Sequence, residues 1–285
     1  TSGAADAQDH RRHPHSSPAW YTGPQLRASS PELAQAFAEG ARSRGVDVTL
    51  IGLASTDGLY YASGALDCPG AMFTASHNPA AYNGIKLCRA GAKPVGKDTG
   101  LATISAEVID GVPGYDGQPG TVTDRDVLAD YGAFLRSLVD LSELRPLRVA
   151  VDAGNGMGGH THPAVLGAIP GVTVLPLFFE LDGTFPNHEA NPLDPANLVD
   201  LQAHVLATGA DIGLAFDGDA DRCFVVDERG AAVSPSAVTA LVAGRELGPA
   251  IGATVVYMLI TPRAVPELIV ARGSPSGRSG GRPSC

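Results

Sequence analysis

Lysine is nearly missing from this chain. Only Lys86, Lys93 and Lys97 occur, all within one stretch, and arginine supplies the other basic residues. Acidic residues outnumber basic ones by 30 to 20, a net charge of −10 with His neutral. That excludes the broad basic face a nucleic-acid binder needs. Cysteine is sparse too: Cys68, Cys88, Cys223 and Cys285 are widely spaced and form no C-x-x-C pair, which excludes a disulfide framework or a zinc site. No apolar run reaches the ~18 residues of a membrane-spanning helix. The first residues lack the ~7–15-residue apolar core of a signal peptide. The expectation is a soluble cytoplasmic protein whose partners include neither nucleic acid nor membrane. The pentad G-x-S-x-G is also absent, so no serine sits on the nucleophile elbow of an α/β-hydrolase.

What is present reads as α/β. Hydrophobic residues make up 44% of the 285, enough for a globular core. Residues 29–45 carry a serine start, an early Pro and a Gly end, the marks of a capped helix. "VDVTLIGLA" and "GAMFTA" read as strands, and residues 124–140 show helical spacing of Val127, Leu128, Tyr131, Leu135 and Leu138. A second unit opens near Pro146 with the strand "LRVAVD" and the Gly-rich "GNGMGG". Apolar strands then alternate with helices to the last strand, "ATVVYMLI". Such alternation predicts two consecutive α/β domains with mostly parallel mixed sheets, plus the start of a third. The divisions fall at 1–24, an atypical segment expected to be disordered, then 25–143, 144–250 and 251–285, the last with an atypical Gly/Ser/Pro/Arg tail.

Three strings could carry chemistry. Gly154, Gly156 and Gly159 have the spacing of a dinucleotide fingerprint, with Glu180 and Asp182 where its acidic residue would fall, although a tight turn explains the same glycines. "TASHNP" (74–79) holds Ser76 and His77 among residues that favour turns, so a reactive serine and a plain turn both fit. "DGDADR" (217–222) alternates Asp217, Asp219 and Asp221 in one short loop between apolar strands, and three carboxylates so close call for a cation. An EF-hand reading would place Glu228 at its twelfth position. It fails at the sixth, where Arg222 replaces the required Gly. Mg²⁺ suits better, because it takes few carboxylates and shares its shell with phosphate oxygens, and Arg222 beside it suits phosphate recognition.

"TASHNP…YNGIK" followed about 140 residues later by "DGDADR" resembles the α-D-phosphohexomutases, most of all their bacterial phosphomannomutase/phosphoglucomutase branch. The resemblance spans roughly residues 26–270 and takes in "RASSPELA" and "FPNHEANPLDPANL". It implies that Ser76 is phosphorylated and that Asp217, Asp219 and Asp221 hold Mg²⁺ with the phosphoserine as a fourth ligand. It makes Lys86 the candidate general acid/base and Arg27 an active-site arginine. Arg222 would bind substrate phosphate, and His77 would orient or hydrogen-bond. Tyr82 and Cys88 read as packing residues. The implied reaction moves a phosphoryl group between C1 and C6 of mannose or glucose phosphate through a hexose 1,6-bisphosphate. Lys86 could shuttle the proton if neighbouring cations lowered its pKa.

The sequence departs from the family at several points. Gln25 stands where the family commonly has Asp, and the residues before it do not read as a first strand. The strings G-E-x-S-G-H and R-x-S-G-T-E-P, which by resemblance grip sugar and distal phosphate, do not occur. Both ends change character as a shifted reading frame would make them. These departures imply the first two of four domains. The alternative expectation is therefore a catalytically incompetent fragment that still binds Mg²⁺ and accepts phosphate on Ser76, with "ATVVYMLI" left without a sheet. A metal phosphatase is a third reading, but it leaves the Ser76 motif unexplained.

Overall fold

The computed structural model describes residues 19–279 apart from 25, 27, 77, 79–80, 251 and 259–260. The expected irregularity of residues 1–18 and 280–285 lies outside the described residues.

The first unit has six strands: β1 (Ala19–Pro24), β2 (Asp47–Leu50), β3 (Gly70–Phe73), β4 (Ile85–Arg89), β5 (Lys93–Pro94) and β6 (Val122–Asp124). They form one sheet in the order β5-β4-β3-β1-β2-β6. The pairs β3–β1, β1–β2 and β2–β6 are parallel, and β3–β4 and β4–β5 antiparallel. Helices α1 (Ser30–Arg42), α2 (Thr56–Ala65), α3 (Leu101–Asp110) and α4 (Leu128–Ser137) complete the unit. Alternate side chains of a strand face opposite sides, and β3 is apolar throughout because both its sides are covered. Met72 joins Leu59, Ala62 and Cys88 under α2, while Ala71 and Phe73 pack with Ala34 and Phe37 of α1. Full burial of Met72 and Phe73 contributes roughly 1.5–3 kcal/mol each, which pins the end of β3 from which the "TASHNP" turn springs.

Two expectations about this unit change. Residues 19–24 fall in the segment expected to be disordered, yet they form the strand between β2 and β3. Pairing on both edges overrides a weak local strand signal there. The serines before α1 do not cap it: Ser29 makes no side-chain cap bond, and the Ser30 hydroxyl instead donates to the carbonyl of Phe73 at 3.1 Å. Ser30 therefore ties α1 to β3.

The second unit contains β7 (Leu147–Asp152), α5 (Gly158–Val165), β8 (Val172–Leu177), α6 (Val199–Thr208), β9 (Ile212–Phe216), β10 (Cys223–Asp227), β11 (Ala232–Val233) and α7 (Pro235–Glu246). Its sheet runs β11-β10-β9-β7-β8, parallel at β9–β7–β8 and antiparallel at β9–β10–β11. Leu201 and Val205 of α6 pack on Ala150, Ala215 and Val226. Gly209 ends α6 with a φ of 62°, the left-handed conformation that only Gly adopts freely. The units meet where α4 lies on α5, and Arg136 donates to the carbonyl of Ala164 there.

Beyond α7, β12 (Val255–Met258), α8 (Ala264–Ala271) and β13 (Ser276–Ser279) form a parallel strand pair with its helix. The last apolar strand thus has a partner, contrary to expectation. Ser276–Ser279 has little apolar side chain, but its backbone groups still need pairing, and β12 supplies them.

Candidate active site

Two loops from the two units meet at the site. Residues 74–76 leave the C-terminal end of β3, and Asp217–Arg222 leave the C-terminal end of β9 to turn back into β10. Strand ends of this kind are where α/β folds gather reactive groups. Ser76 sits in the left-handed region with a φ of 49°, and Ala220 in the facing loop has a φ of 58°. Both are sparsely populated for residues with a Cβ, and the surroundings hold them there. The Thr74 hydroxyl accepts from the Ser76 amide at 2.9 Å, and Gly84 accepts from the Thr74 amide at 3.0 Å.

The serine hydroxyl has two carboxylates within reach of its one proton, Asp217 Oδ2 at 3.0 Å and Asp219 Oδ1 at 2.9 Å. It accepts from Arg222 Nη2, also at 3.0 Å. Arg222 grips Asp217 as well, with Nη2 at 2.6 Å and Nε at 3.0 Å from Oδ2. From the first unit, Lys86 Nζ lies 2.7 Å from Asp219 Oδ2 and 2.9 Å from Asp221 Oδ2. The Thr56 hydroxyl at the start of α2 donates to Asp219 Oδ2 at 2.9 Å. The three aspartates are therefore partnered, not bare as the sequence alone implied.

Among the described residues negative charge still exceeds positive, since the three loop carboxyls and nearby Asp57 face Lys86 and Arg222. Asp217 is pushed up to about 7 by burial first and then by the Asp219 charge and their mutual hydrogen bond. Burial also acts to raise Asp219, but its bond with Asp217 and the charge of Lys86 outweigh that and hold it at about 2. Asp57 rises to about 6 through burial, then repulsion from Asp221 and Asp219. Ligand atoms of Asp217, Asp219 and Asp221 all lie within 4.8 Å of one another. An all-oxygen set with surplus negative charge fits a hard divalent cation.

The structure corrects the condition set for Lys86. Desolvation would lower its pKa, but Asp219 and Asp221 outweigh it and hold the ammonium well above its ordinary value. Among the described residues its bonded partners are two carboxylates and the Thr56 hydroxyl, which keep the proton on it while no cation occupies the loop. Arg27 and His77 lie outside the described residues. Tyr82 is 62% exposed rather than packed, whereas Cys88 is fully buried in the core. The EF-hand alternative ends here, since β9 and β10 flank the loop as strands and Glu228 sits at the far end of β10, near Arg229.

The glycine run is a packing turn. A Cβ on Gly156 would stand 2.9 Å from the Cα and O of Gly218, and the Met157 amide donates to the Gly218 carbonyl at 3.0 Å. The carboxylate of Asp182 accepts from Thr184, and the Glu180 carbonyl accepts from Asn155, so both residues help shape the turn. Sequence reasoning passed over Thr56 and Asp57. Their signal was a polar "STD" directly after a predicted parallel strand.

Comparison with known families and proteins agrees with this geometry. Residues 23–110 match the phosphoglucomutase/phosphomannomutase alpha/beta/alpha domain I, and residues 129–230 match domain II of the same family. A phosphomannomutase/phosphoglucomutase of Pseudomonas aeruginosa is 37% identical over 248 residues, covering 87% of this chain and 52% of the relative. A phosphomannomutase of Salmonella montevideo is 36% identical over 242 residues, covering 82% of this chain and 53% of its own. The crystal structure of a phosphoglucomutase/phosphomannomutase family protein from Burkholderia thailandensis superimposes with a TM-score of 0.85 at 32% identity, over 93% of this chain and 58% of that one. The chain spans about half the length of the curated relatives it matches.

Proposed function

The chain belongs to the phosphoglucomutase/phosphomannomutase family, and on that premise we propose that it moves a phosphoryl group between C1 and C6 of mannose or glucose phosphate, by way of a phosphoserine at Ser76. The observation that carries this reading is the Ser76 hydroxyl held between Asp217, Asp219 and Arg222. The hydroxyl proposed to accept the phosphoryl group has beside it both the acidic loop proposed to bind the cation and a guanidinium.

In the first transfer the free hydroxyl of a hexose phosphate forms a bond to phosphorus, the P–Oγ bond of Ser76 breaks, and the proton lost by the hydroxyl ends on the freed Ser76 Oγ. The resulting bisphosphate turns around. Its other phosphoryl group then bonds to Ser76 Oγ, which gives up that proton, and the sugar oxygen it leaves takes up one proton. Arg222 is placed to hold a phosphoryl group on Ser76, and its planar fork suits the oxygens. Lys86, whose ammonium reaches the carboxylates beside Ser76, would give a proton to the sugar oxygen and be reprotonated by the one Ser76 releases. Asp217, Asp219 and Asp221 would hold Mg²⁺, which when bound offsets the ~−1.5 to −2 charge of the phosphoserine and polarises its phosphorus. With little covalent work left to the protein, positioning and electrostatics carry the transfer.

Intact-mass measurement after incubation with glucose 1,6-bisphosphate tests this. The chain should gain one phosphoryl group, and the Ser76→Ala variant none. A label persisting in the alanine variant would overturn the assignment. Labelling without isomerisation in a coupled assay on mannose or glucose 1-phosphate would mark a phosphate-accepting but incompetent chain.

A further inference from the structure

Each carboxylate of the acidic loop already has a cation of the protein's own. Arg222 serves Asp217 through its side chain, while its backbone amide donates to the same residue's Oδ1 at 3.0 Å. That double attachment makes Arg222 a fixture of the loop. Lys86 is attached differently. It comes from the other unit, on β4, and reaches Asp219 and Asp221 only through the tip of a flexible four-carbon stem. Its side chain is 32% exposed, so it has solvent to move into.

We infer that Lys86 is a built-in counter-cation of the loop, and that a divalent cation displaces it from Asp219 and Asp221. The two compete because both draw on the carboxylates of Asp219 and Asp221. An ammonium 2.7–2.9 Å from them stands where a divalent cation coordinated by those oxygens would repel it strongly. Thr56 makes the exchange workable, since its buried hydroxyl keeps hold of Asp219 Oδ2 at 2.9 Å after the ammonium leaves, so the carboxylate does not swing. Outer partners of this kind orient the ligands of a metal site. The freed ammonium remains one carboxylate away from Ser76, which shares Asp219 with it. Taken with the phosphoryl-transfer reading above, on which this last point rests, metal loading and the availability of Lys86 become one event.

Two measurements test the competition without any assay of turnover. In calorimetry with MgCl₂, the Lys86→Met variant keeps the length of the side chain and removes its charge. It should bind Mg²⁺ about tenfold more tightly than the unaltered chain, as expected if the ammonium leaves the pair open about a tenth of the time. Equal or weaker binding in the variant, or no Mg²⁺ binding by either chain, would overturn the inference. The second measurement needs no variant and so does not depend on one folding. Because Lys86, Lys93 and Lys97 are the only lysines, and the latter two are exposed, acylation by an amine reagent can be read peptide by peptide. Adding Mg²⁺ should raise labelling of Lys86 relative to Lys93 and Lys97, and labelling that is unchanged or falls contradicts displacement. Should Ser76 fail to accept phosphate while both results hold, the phosphoryl-transfer reading falls and the competition stands.

Discussion

His188 places both ring nitrogens against acceptors. Nε2 lies 3.0 Å from the buried carboxylate of Asp152, and Nδ1 lies 2.9 Å from the carbonyl of Glu189. Only the doubly protonated ring satisfies both, and its pKa is raised, first by the hydrogen bond to Asp152, against desolvation, with smaller help from Glu189, the Asp152 charge and Asp200. A raised histidine contributes stability that is fully present below the ordinary value of 6.5 and is lost as pH climbs through the raised one. His188→Gln removes one donor and the charge. It should melt lower than the unaltered chain at pH 6 by about 3–6 °C, the shift for ~1.5 kcal/mol of charged hydrogen bond. The gap should narrow as pH rises through the raised value. A gap independent of pH would show that the ring matters only for its shape. At this scale, Ser76 and the three aspartates were legible because each motif is contiguous in the chain. Thr56, Asp57 and His188 were not, because their meaning comes from what tertiary pairing sets beside them: Asp219 for Thr56, Asp152 for His188.

Elements decide how closely the two loops approach. A Cβ on Gly218 would stand 2.8 Å from the Ser76 carbonyl oxygen, a backbone atom that cannot yield without moving the turn. Gly218→Ala should therefore cost about 1–3 kcal/mol of stability, and should weaken Mg²⁺ binding because the carboxylates move off the serine. Gly64, inside α2, meets nothing within 4 Å of its virtual Cβ, so Gly64→Ala should stabilise by about 0.5–1 kcal/mol. Urea unfolding of the pair checks both signs, and a neutral Gly218→Ala would mean the loops do not pack as described. α4, with its regular apolar spacing, was readable in advance. β1 was not: "AWYTGP" has no strand pattern of its own and becomes a strand only because β2 and β3 flank it. The serines at 29–30 look like a cap and are diverted to Phe73 and Asn83.

Over the whole molecule, the contacts that the acidic loop makes with Thr56, Ser76 and Lys86 all cross between the units. Thr56, Ser76 and Lys86 come from one, Asp217 to Arg222 from the other. A cation that binds the folded loop but not the unfolded chain stabilises both units together. At 100 times its Kd, Mg²⁺ should add ~2.7 kcal/mol, seen as a single melting transition moved upward. Asp219→Asn should lose most of that shift, and a chain whose melting ignores Mg²⁺ altogether would argue against the loop as a metal site. Both sheets were foreseeable as mostly parallel from the alternation of strand and helix. The pairing of β12 with a Gly/Ser stretch was not, since nothing in "SGRS" marks a strand.

Ser76 and Asp217 are 141 residues apart, and that distance is also an interval of time. Domains fold in the order they emerge, at about 5–20 residues per second, so roughly 7–28 s separate the making of the serine turn from that of its acidic partners. Through that interval the first unit can be folded, with α1, α2 and β3 buried on one another, while the hydroxyl has neither Asp217 nor Arg222 beside it. The nascent chain would then carry a shaped turn whose serine gains its acidic partners only once the second unit has emerged and closed on it.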